Sequence, residues 1–194
     1  MAETLESRKC SALVIGGSAG SLDVLLEVFP NLSSDINFPI IIVTHRKAGR
    51  DSLLGDLLKN RTKLTVNEAE EKEIIRPGNV YIAPADYHLL IEEDHTISLD
   101  YSEKVNYSRP SIDVTFQSAA QVFKDELVCI LLSGSNADGV AGLKTVNNFG
   151  GLVVIQNPNT AIIPYMPQQA LNEIKSAEVL DANSMAEFIN NLIK

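Results

Sequence analysis

Residues 11–20 read Ser-Ala-Leu-Val-Ile-Gly-Gly-Ser-Ala-Gly, an apolar run that breaks into a Gly-x-Ser-x-Gly turn. Leucines with helical spacing follow, so the stretch predicts a strand, a sharp turn and a helix in succession. A nucleophile elbow has this context, because its turn exposes a serine hydroxyl at the end of a strand. Ser18 is therefore a candidate nucleophile. The same turn could instead serve only tight packing, or hold a phosphate at the start of the helix.

The rest of the chain repeats the alternation of apolar runs and helical patterns, which is typical of a parallel sheet. One stretch departs from it, because the segments on either side of residues 92–95 suggest an antiparallel hairpin. We predict an α/β fold with a doubly wound, mostly parallel sheet, helices on both faces and one antiparallel hairpin. The predicted strands of the main sheet are residues 11–15, 40–44, 64–68, 79–83, 127–132, 152–156 and 176–180.

Local signals predict where several helices begin and end. The first helix should end at Pro30, since proline disfavours continuation of a helix. Ser111 could cap a helix, and Pro167 suits the first turn of another. Residues 184–187 read as a capping box for the last helix.

Composition and charge exclude several classes of function. The 194 residues suggest one domain, residues 11–194, behind a flexible tail of residues 1–10. A net charge of −9 without a long basic tract argues against nucleic acid as a partner. Because no apolar run reaches the length of a membrane span and no signal peptide is evident, we expect a cytoplasmic protein that is not embedded in a membrane. The chain carries no compact cluster of metal ligands, so neither a metal nor another cofactor is expected.

Two further polar residues follow apolar runs, in the way that Ser18 does. His45 comes directly after residues 40–44, and Asp138 follows the run at residues 130–134. Open α/β sheets bring the carboxyl ends of their strands together, so the three residues can form a Ser-His-Asp triad. Each also has a structural alternative: His45 could simply end a strand, and Asp138 could cap the helix that follows it.

Other residues could complete the cleft. If Ser18 is the nucleophile, the N–H group of Ala19 and the start of the following helix could stabilise an oxyanion. His88 could line the cleft or merely begin the hairpin. Arg46 belongs to a basic segment, residues 45–50, that could attract an acidic protein substrate or simply be solvated.

Several sequence blocks extend the pattern beyond the elbow and occur in a recognisable order over about residues 11–180. Together they resemble the catalytic domain of the chemotaxis protein-glutamate methylesterases (CheB). The blocks are Ile15-Gly16-Gly17-Ser18-Ala19-Gly20, Val43-Thr44-His45, residues 76–84 with His88, Arg109-Pro110-Ser111-Ile112-Asp113-Val114, residues 133–139 and Met166-Pro167.

The resemblance implies a doubly wound domain that works without a cofactor. It implies that Ser18 attacks an ester carbonyl, that His45 takes and returns the proton, and that Asp138 orients the imidazole. Members of the family hydrolyse glutamate methyl esters on cytoplasmic helices of bacterial chemoreceptors, releasing methanol, and some deamidate receptor glutamines. The implied partner is a methylated chemoreceptor or another methylated signalling protein.

Departures from the family pattern keep a second function open. Ala19 stands where the family usually has threonine, and Ser135 and Asn136 replace a methionine and a glycine. The resemblance places oxyanion-binding N–H groups near Ser135, and loss of the glycine at Asn136 could alter that loop. The family's regulatory members carry a receiver domain before the esterase, whereas this chain begins almost at the first esterase strand, so we expect control by a partner in trans or none. An active methylesterase and a catalytically impaired binding module are both compatible with these changes; a nucleotide binder lacks the P-loop lysine and the ribose-binding acid.

Overall fold

The fold is a central sheet with helices on both faces. A computed structural model describes residues 9–46 and 52–193, so most of the N-terminal tail and Lys47 and Arg50 of the basic segment lie outside the described residues. The strands are β1 (Ala12–Gly17), β2 (Ile40–Thr44), β3 (Thr65–Glu68), β4 (Asn79–Ile82), β5 (His88–Ile91), β6 (Ile97–Asp100), β7 (Leu127–Leu131), β8 (Leu152–Gln156) and β9 (Glu178–Leu180). The helices are α1 (Ser21–Val28), α2 (Ser52–Lys59), α3 (Ile112–Phe123), α4 (Val140–Asn148), α5 (Tyr165–Glu173) and α6 (Ala182–Asn190). Among the described helices, none combines the length and the apolar character that crossing a membrane requires.

Seven strands form one sheet in the order β3-β4-β2-β1-β7-β8-β9, and every neighbouring pair is parallel. Strands β5 and β6 form a separate antiparallel hairpin. The predicted fold class is confirmed. The chain completes the half of the sheet that contains β2, β4 and β3 and then returns to β7 on the other side of β1. This reversal of strand order is the place where doubly wound folds bind ligands.

The five inner strands β1, β2, β4, β7 and β8 are buried on both faces, which explains why they are largely continuous apolar runs, whereas the edge strands β3 and β9 are partly exposed. In β2, Ile41 and Val43 pack in the core that includes α3, α4 and α5. Ile40 and Ile42 pack in the opposite core with α1 and α6. The same alternation directs Thr44, the last residue of β2, toward the face that carries α1 and α2.

Some predicted helix boundaries hold and others are corrected. Helix α1 gives way to a 3-10 turn that contains Pro30, and Pro167 does lie in the first turn of α5. Ser111 occupies the N-cap position of α3 but makes no capping hydrogen bond, because its hydroxyl donates elsewhere. The predicted capping box at residues 184–187 is wrong. Helix α6 follows β9 almost at once, and Ser184 N–H already closes its first turn on Asp181 O.

Candidate active site

The three candidate catalytic residues lie at one edge of the sheet. Ser18 follows β1, His45 follows β2, and Asp138 lies in the loop between β7 and α4. Because β2, β1 and β7 are adjacent parallel strands, their carboxyl ends meet at this edge. The fold thus brings together residues that are 27 and 93 positions apart in the chain.

Hydrogen bonds hold the turn that carries Ser18. The Ser18 N–H donates to Ser133 O at 2.9 Å, and the Ser21 hydroxyl donates to Ser18 O at 2.7 Å. Gly20 has a φ of +83°, and a Cβ atom there would lie 2.6 Å from the Ser133 hydroxyl oxygen. Glycine is therefore required for both its backbone conformation and the close approach of the loop after β7. These contacts fix the position of Ser18 at the end of β1.

The His45 ring connects the serine to the aspartate. His45 Nδ1 lies 3.1 Å from Ser18 Oγ, and His45 Nε2 lies 2.7 Å from Asp138 Oδ2. An ionised carboxylate only accepts hydrogen bonds, so Asp138 holds the proton of the neutral ring on Nε2. The lone pair of Nδ1 consequently faces the serine hydroxyl. This arrangement can transfer the serine proton to Nδ1.

Asp138 is fully buried, yet its carboxylate is surrounded by donors. Burial by itself would raise its pKa, but the hydrogen bonds outweigh burial and lower the pKa below its usual value. Two of the donors are the first N–H groups of α3, which have no partner within the helix. The five donors are His45 Nε2, Ser111 Oγ, Ile112 N, Asp113 N and Asn106 Nδ2.

The structural alternative for Asp138, as cap of the following helix, is not what the structure shows. Helix α4 has Gly139 at its N-cap and no capping hydrogen bond from a side chain. The Asp138 side chain instead satisfies the start of α3. Asn136 Oδ1 accepts the Asp138 N–H at 3.1 Å, so this residue supports the loop, and its φ is not positive. The loop here does not need the glycine that the family pattern places at this position.

A second buried carboxylate, which sequence reasoning missed, lies beside the first. Asp113 Oδ1 accepts the Gly142 N–H in the first turn of α4 at 2.6 Å, and Asp113 Oδ2 accepts from Asn106 at 2.7 Å. Burial, together with the negative charge of Asp138, raises the pKa of Asp113 to about 6 although these hydrogen bonds oppose the shift. In the sequence Asp113 is one more acid in the first turn of a helix, so no local signal set it apart.

Two backbone N–H groups near Ser18 are candidate donors for an oxyanion. The Ser18 N–H is occupied by Ser133 O, and the Gly134 N–H donates to Ile163 O. In the described part of the chain, the N–H groups of Ala19 and Ser135 have no hydrogen-bond acceptor. They belong to the turn of the candidate nucleophile and to the neighbouring loop after β7, and they remain candidates for binding an oxyanion.

The other two predicted site residues, His88 and Arg46, make polar contacts with groups outside the triad. His88 is buried, with Nδ1 accepting the Ser111 N–H at 3.1 Å and Nε2 lying 2.9 Å from Glu103 O. It therefore supports the start of α3 rather than contacting Ser18. The Arg46 side chain is only 10% exposed, and its guanidinium contacts Ala83 O and the Glu68 carboxylate. These contacts tie Arg46 to the sheet edge beside His45.

An apolar cavity of about 330 Å³ opens beside Ser18 and His45. Its walls come mainly from α1 and α2, the helices on one face of the sheet. We call it the leucine cavity. The wall residues used below are Leu22, Leu25, Leu53, Leu54 and Leu57, with Thr44 at the end of β2.

Comparison with known proteins identifies the family. The model of the family described as CheB methylesterase matches residues 13–189, which extend from β1 into α6. The chain belongs to the CheB methylesterase family. A protein of Leptospira interrogans serogroup Icterohaemorrhagiae serovar copenhageni, provisionally named protein-glutamate methylesterase/protein-glutamine glutaminase, is 43% identical to this CheB-family chain over 181 residues. The match covers 93% of this chain and 94% of that relative.

Relatives of known structure share the fold closely. A protein-glutamate methylesterase/protein-glutamine glutaminase of Thermotoga maritima is 34% identical over 184 residues, which cover 93% of this chain and 54% of that longer protein. The crystal structure of the Thermotoga maritima CheB methylesterase catalytic domain matches with a TM-score of 0.91 at 34% identity. The match covers 95% of this chain and 100% of that domain. The CheB-family chain thus has the architecture of the CheB catalytic domain.

Proposed function

We propose that the chain is a serine esterase that hydrolyses glutamate methyl esters on a signalling protein and releases methanol. The observation that carries the proposal is the continuous contact from Ser18 Oγ through the His45 ring to Asp138, at 3.1 and 2.7 Å. The names of the Leptospira and Thermotoga relatives supply the substrate class and add glutamine deamidation as a second reaction. No observation favours an impaired binding module, because the reacting groups stand within hydrogen-bond distance of each other.

In the first half of the reaction, Ser18 Oγ attacks the ester carbonyl while His45 Nδ1 takes its proton. The ionised Asp138 carboxylate stabilises the positive charge that develops on the imidazole. The N–H groups of Ala19 and Ser135 receive the negative charge on the carbonyl oxygen. His45 then returns the proton to the methoxy oxygen, so methanol leaves and the glutamyl group stays on Ser18.

In the second half, water attacks the acyl group. His45 accepts the proton of the water and passes it to Ser18 Oγ, which releases the free glutamate side chain. With a glutamine substrate the first step releases ammonia instead of methanol, and the acyl-enzyme is the same. Both reactions therefore yield glutamate, and every proton is carried by His45.

The partner in this proposal is a methylated chemoreceptor or a related methylated signalling protein. Because the modified side chains of such receptors lie on the cytoplasmic side, we place the enzyme in the cytoplasm.

The decisive test is Ser18→Ala, with Ser34→Ala as an exposed serine control. Ser18→Ala should lower methanol release from a methylated receptor fragment by about three to six orders of magnitude, because the nucleophile is lost. It should also abolish labelling by a fluorophosphonate probe, while Ser34→Ala retains both signals. Circular dichroism verifies that both variants are folded. Unchanged methanol release from folded Ser18→Ala would refute the assignment.

A further inference from the structure

The leucine cavity has no part in the mechanism above, although it adjoins both reacting residues. Its volume of about 330 Å³ is many times what the methyl group of a methyl ester would fill. Leu22 is 39% exposed and Leu53 is 60% exposed, so apolar side chains remain in contact with solvent at the mouth of the site. An open apolar cavity beside a nucleophile offers space in which an apolar part of a substrate can be buried.

The strand order indicates which part of the substrate faces this cavity. Ser135 follows β7 on one side of β1, whereas His45 and Thr44 belong to β2 on the other side. The carbonyl oxygen of the substrate must point toward the N–H groups of Ala19 and Ser135. The leaving oxygen must instead reach His45 to receive its proton, so the alcohol portion points toward β2. On that side the leucine cavity lies against α1 and α2.

Thr44 provides an independent observation in the same cavity. It is only 7% exposed, and its hydroxyl has no hydrogen-bond partner among the residues that the structure describes. Buried hydroxyls are nearly always paired, because an unpaired one loses its hydration without compensation. Thr44 borders the cavity with Ser18 and His45, but its hydroxyl oxygen is closed to solvent in the rotamer seen, so a ligand atom reaches it only when the side chain turns about its Cα–Cβ bond.

We propose that the leucine cavity binds the alcohol portion of the ester, and that the enzyme therefore also hydrolyses carboxylic esters of alcohols larger than methanol. In this assignment the Thr44 side chain turns its hydroxyl into the cavity and donates a hydrogen bond to the ester alcohol oxygen. The proposal rests on the proposed esterase function. The Ser18 Oγ–carbon bond forms, the carbon–oxygen bond to the alcohol breaks, and His45 gives its proton to the departing alcohol. Water then completes hydrolysis as for the methyl ester.

The primary experiment compares peptides that carry the γ-methyl, γ-ethyl and γ-butyl esters of glutamate, with alcohol release as the readout. The wild-type protein should hydrolyse all three, and kcat/KM for the butyl ester should lie within about tenfold of the methyl value. If the methyl ester is hydrolysed but kcat/KM for the butyl ester is more than about tenfold lower, the cavity assignment is wrong and the esterase function stands. If no ester is hydrolysed, both proposals fail.

The walls of the cavity are tested by Leu22→Trp, with Val179→Trp as the control. Val179 is an exposed apolar residue on β9, at an edge of the sheet. Leu22→Trp should lower the ratio of butyl-ester to methyl-ester hydrolysis by about tenfold or more, because the indole occupies space that the longer alcohol needs. Val179→Trp should leave the ratio and the methyl-ester rate unchanged. An unchanged ratio in folded Leu22→Trp would contradict the proposal.

The hydroxyl is tested by Thr44→Val and Thr44→Ser. Thr44→Val keeps the shape of the side chain and should lower kcat/KM roughly five- to tenfold for methyl and butyl esters alike, because both share the alcohol oxygen. Thr44→Ser should restore most of the loss. If Thr44→Val has wild-type kcat/KM, or if Thr44→Ser is as impaired as Thr44→Val at equal thermal stability, the hydroxyl does not contact the alcohol oxygen.

Discussion

The start of α3 and the start of α4 each hold a buried carboxylate, yet the pKa values of the two shift in opposite directions. Asp138, just before α4, accepts N–H groups of α3, and Asp113, in α3, accepts the Gly142 N–H of α4. The pKa of Asp138 is lowered, whereas that of Asp113 is raised to about 6. Both side chains are buried, so burial alone does not explain the difference.

The number of donors separates the two regions. Five groups donate to Asp138, while Asp113 depends chiefly on Gly142 N–H and the Asn106 side chain and also experiences the negative charge of Asp138. Hydrogen bonds to the charged form stabilise it, and a neighbouring like charge destabilises it. Asp138, which contacts His45, therefore keeps its negative charge, as the proposed mechanism requires.

The largest expected effect separates the two carboxylates by activity. Asp138→Asn removes the negative charge beside His45, so kcat for methanol release should fall about 10⁴-fold. Asp113→Asn, which mimics the protonated acid, should stay within about tenfold of wild type, because Asp113 does not contact His45 or Ser18. Both values are measured on protein whose folding is verified by circular dichroism. Equal losses in the two variants would show that the carboxylates act as one catalytic unit.

The two carboxylates should change the free energy of unfolding with pH in opposite directions. The folded state raises the pKa of Asp113, so its contribution is present below the unfolded value of about 4 and is lost as pH rises through about 6. The folded state lowers the pKa of Asp138, so its contribution is present above about 4 and is lost as pH falls through the lower folded value.

Urea unfolding between pH 3 and 7 measures both contributions by difference. In the wild-type protein, Asp113 should lower the free energy of unfolding as pH rises from about 4 to 6, and Asp113→Asn should abolish this decrease. At 1.36 kcal/mol for each pKa unit, the decrease is at most about 3 kcal/mol. Asp138→Asn should abolish the part of the decrease in unfolding free energy that the wild-type protein shows as pH falls below about 4. The assignment of the two shifts is reversed if Asp113→Asn removes the acid-side loss instead.

The smallest effect tests the helix contact that supports Asp113. A Cβ at Gly142 would lie 2.6 Å from Phe116 Cβ and 3.1 Å from the Asp113 backbone, so Gly142→Ala should destabilise the fold by about 1–3 kcal/mol. In α2 the nearest atom to a Cβ at Gly55 is Ile82 Cδ1 at 3.9 Å, so Gly55→Ala should stabilise by about 0.5–1 kcal/mol. Urea unfolding at pH 7 compares both variants with wild type. Similar effects of the two substitutions would mean that α3 and α4 can separate without cost.

Prediction from sequence succeeded where a signal was local. The strands, the hairpin and the placement of Ser18 and His45 directly after strands all followed from short apolar runs and turn residues. Prediction failed for the cap at Ser111, because the Ser111 hydroxyl donates to Asp138, 27 positions away in the chain, rather than to its own helix. The roles of Asn106 and Asp113 were missed for the same reason. Asn106 donates both to Asp113, in α3, and to Asp138, in the loop before α4.

The sequence alone determined that β1 ends in a sharp turn with a serine, and that apolar strands alternate with amphipathic helices, because these properties depend on neighbouring residues. The tertiary structure decided which ring nitrogen of His45 faces Ser18 and which of two buried acids stays charged. It also decided that Thr44 is left without a hydrogen-bond partner among the described residues. These properties depend on how many donors and charges converge on one atom from distant segments, and only the packed sheet and helices set that number.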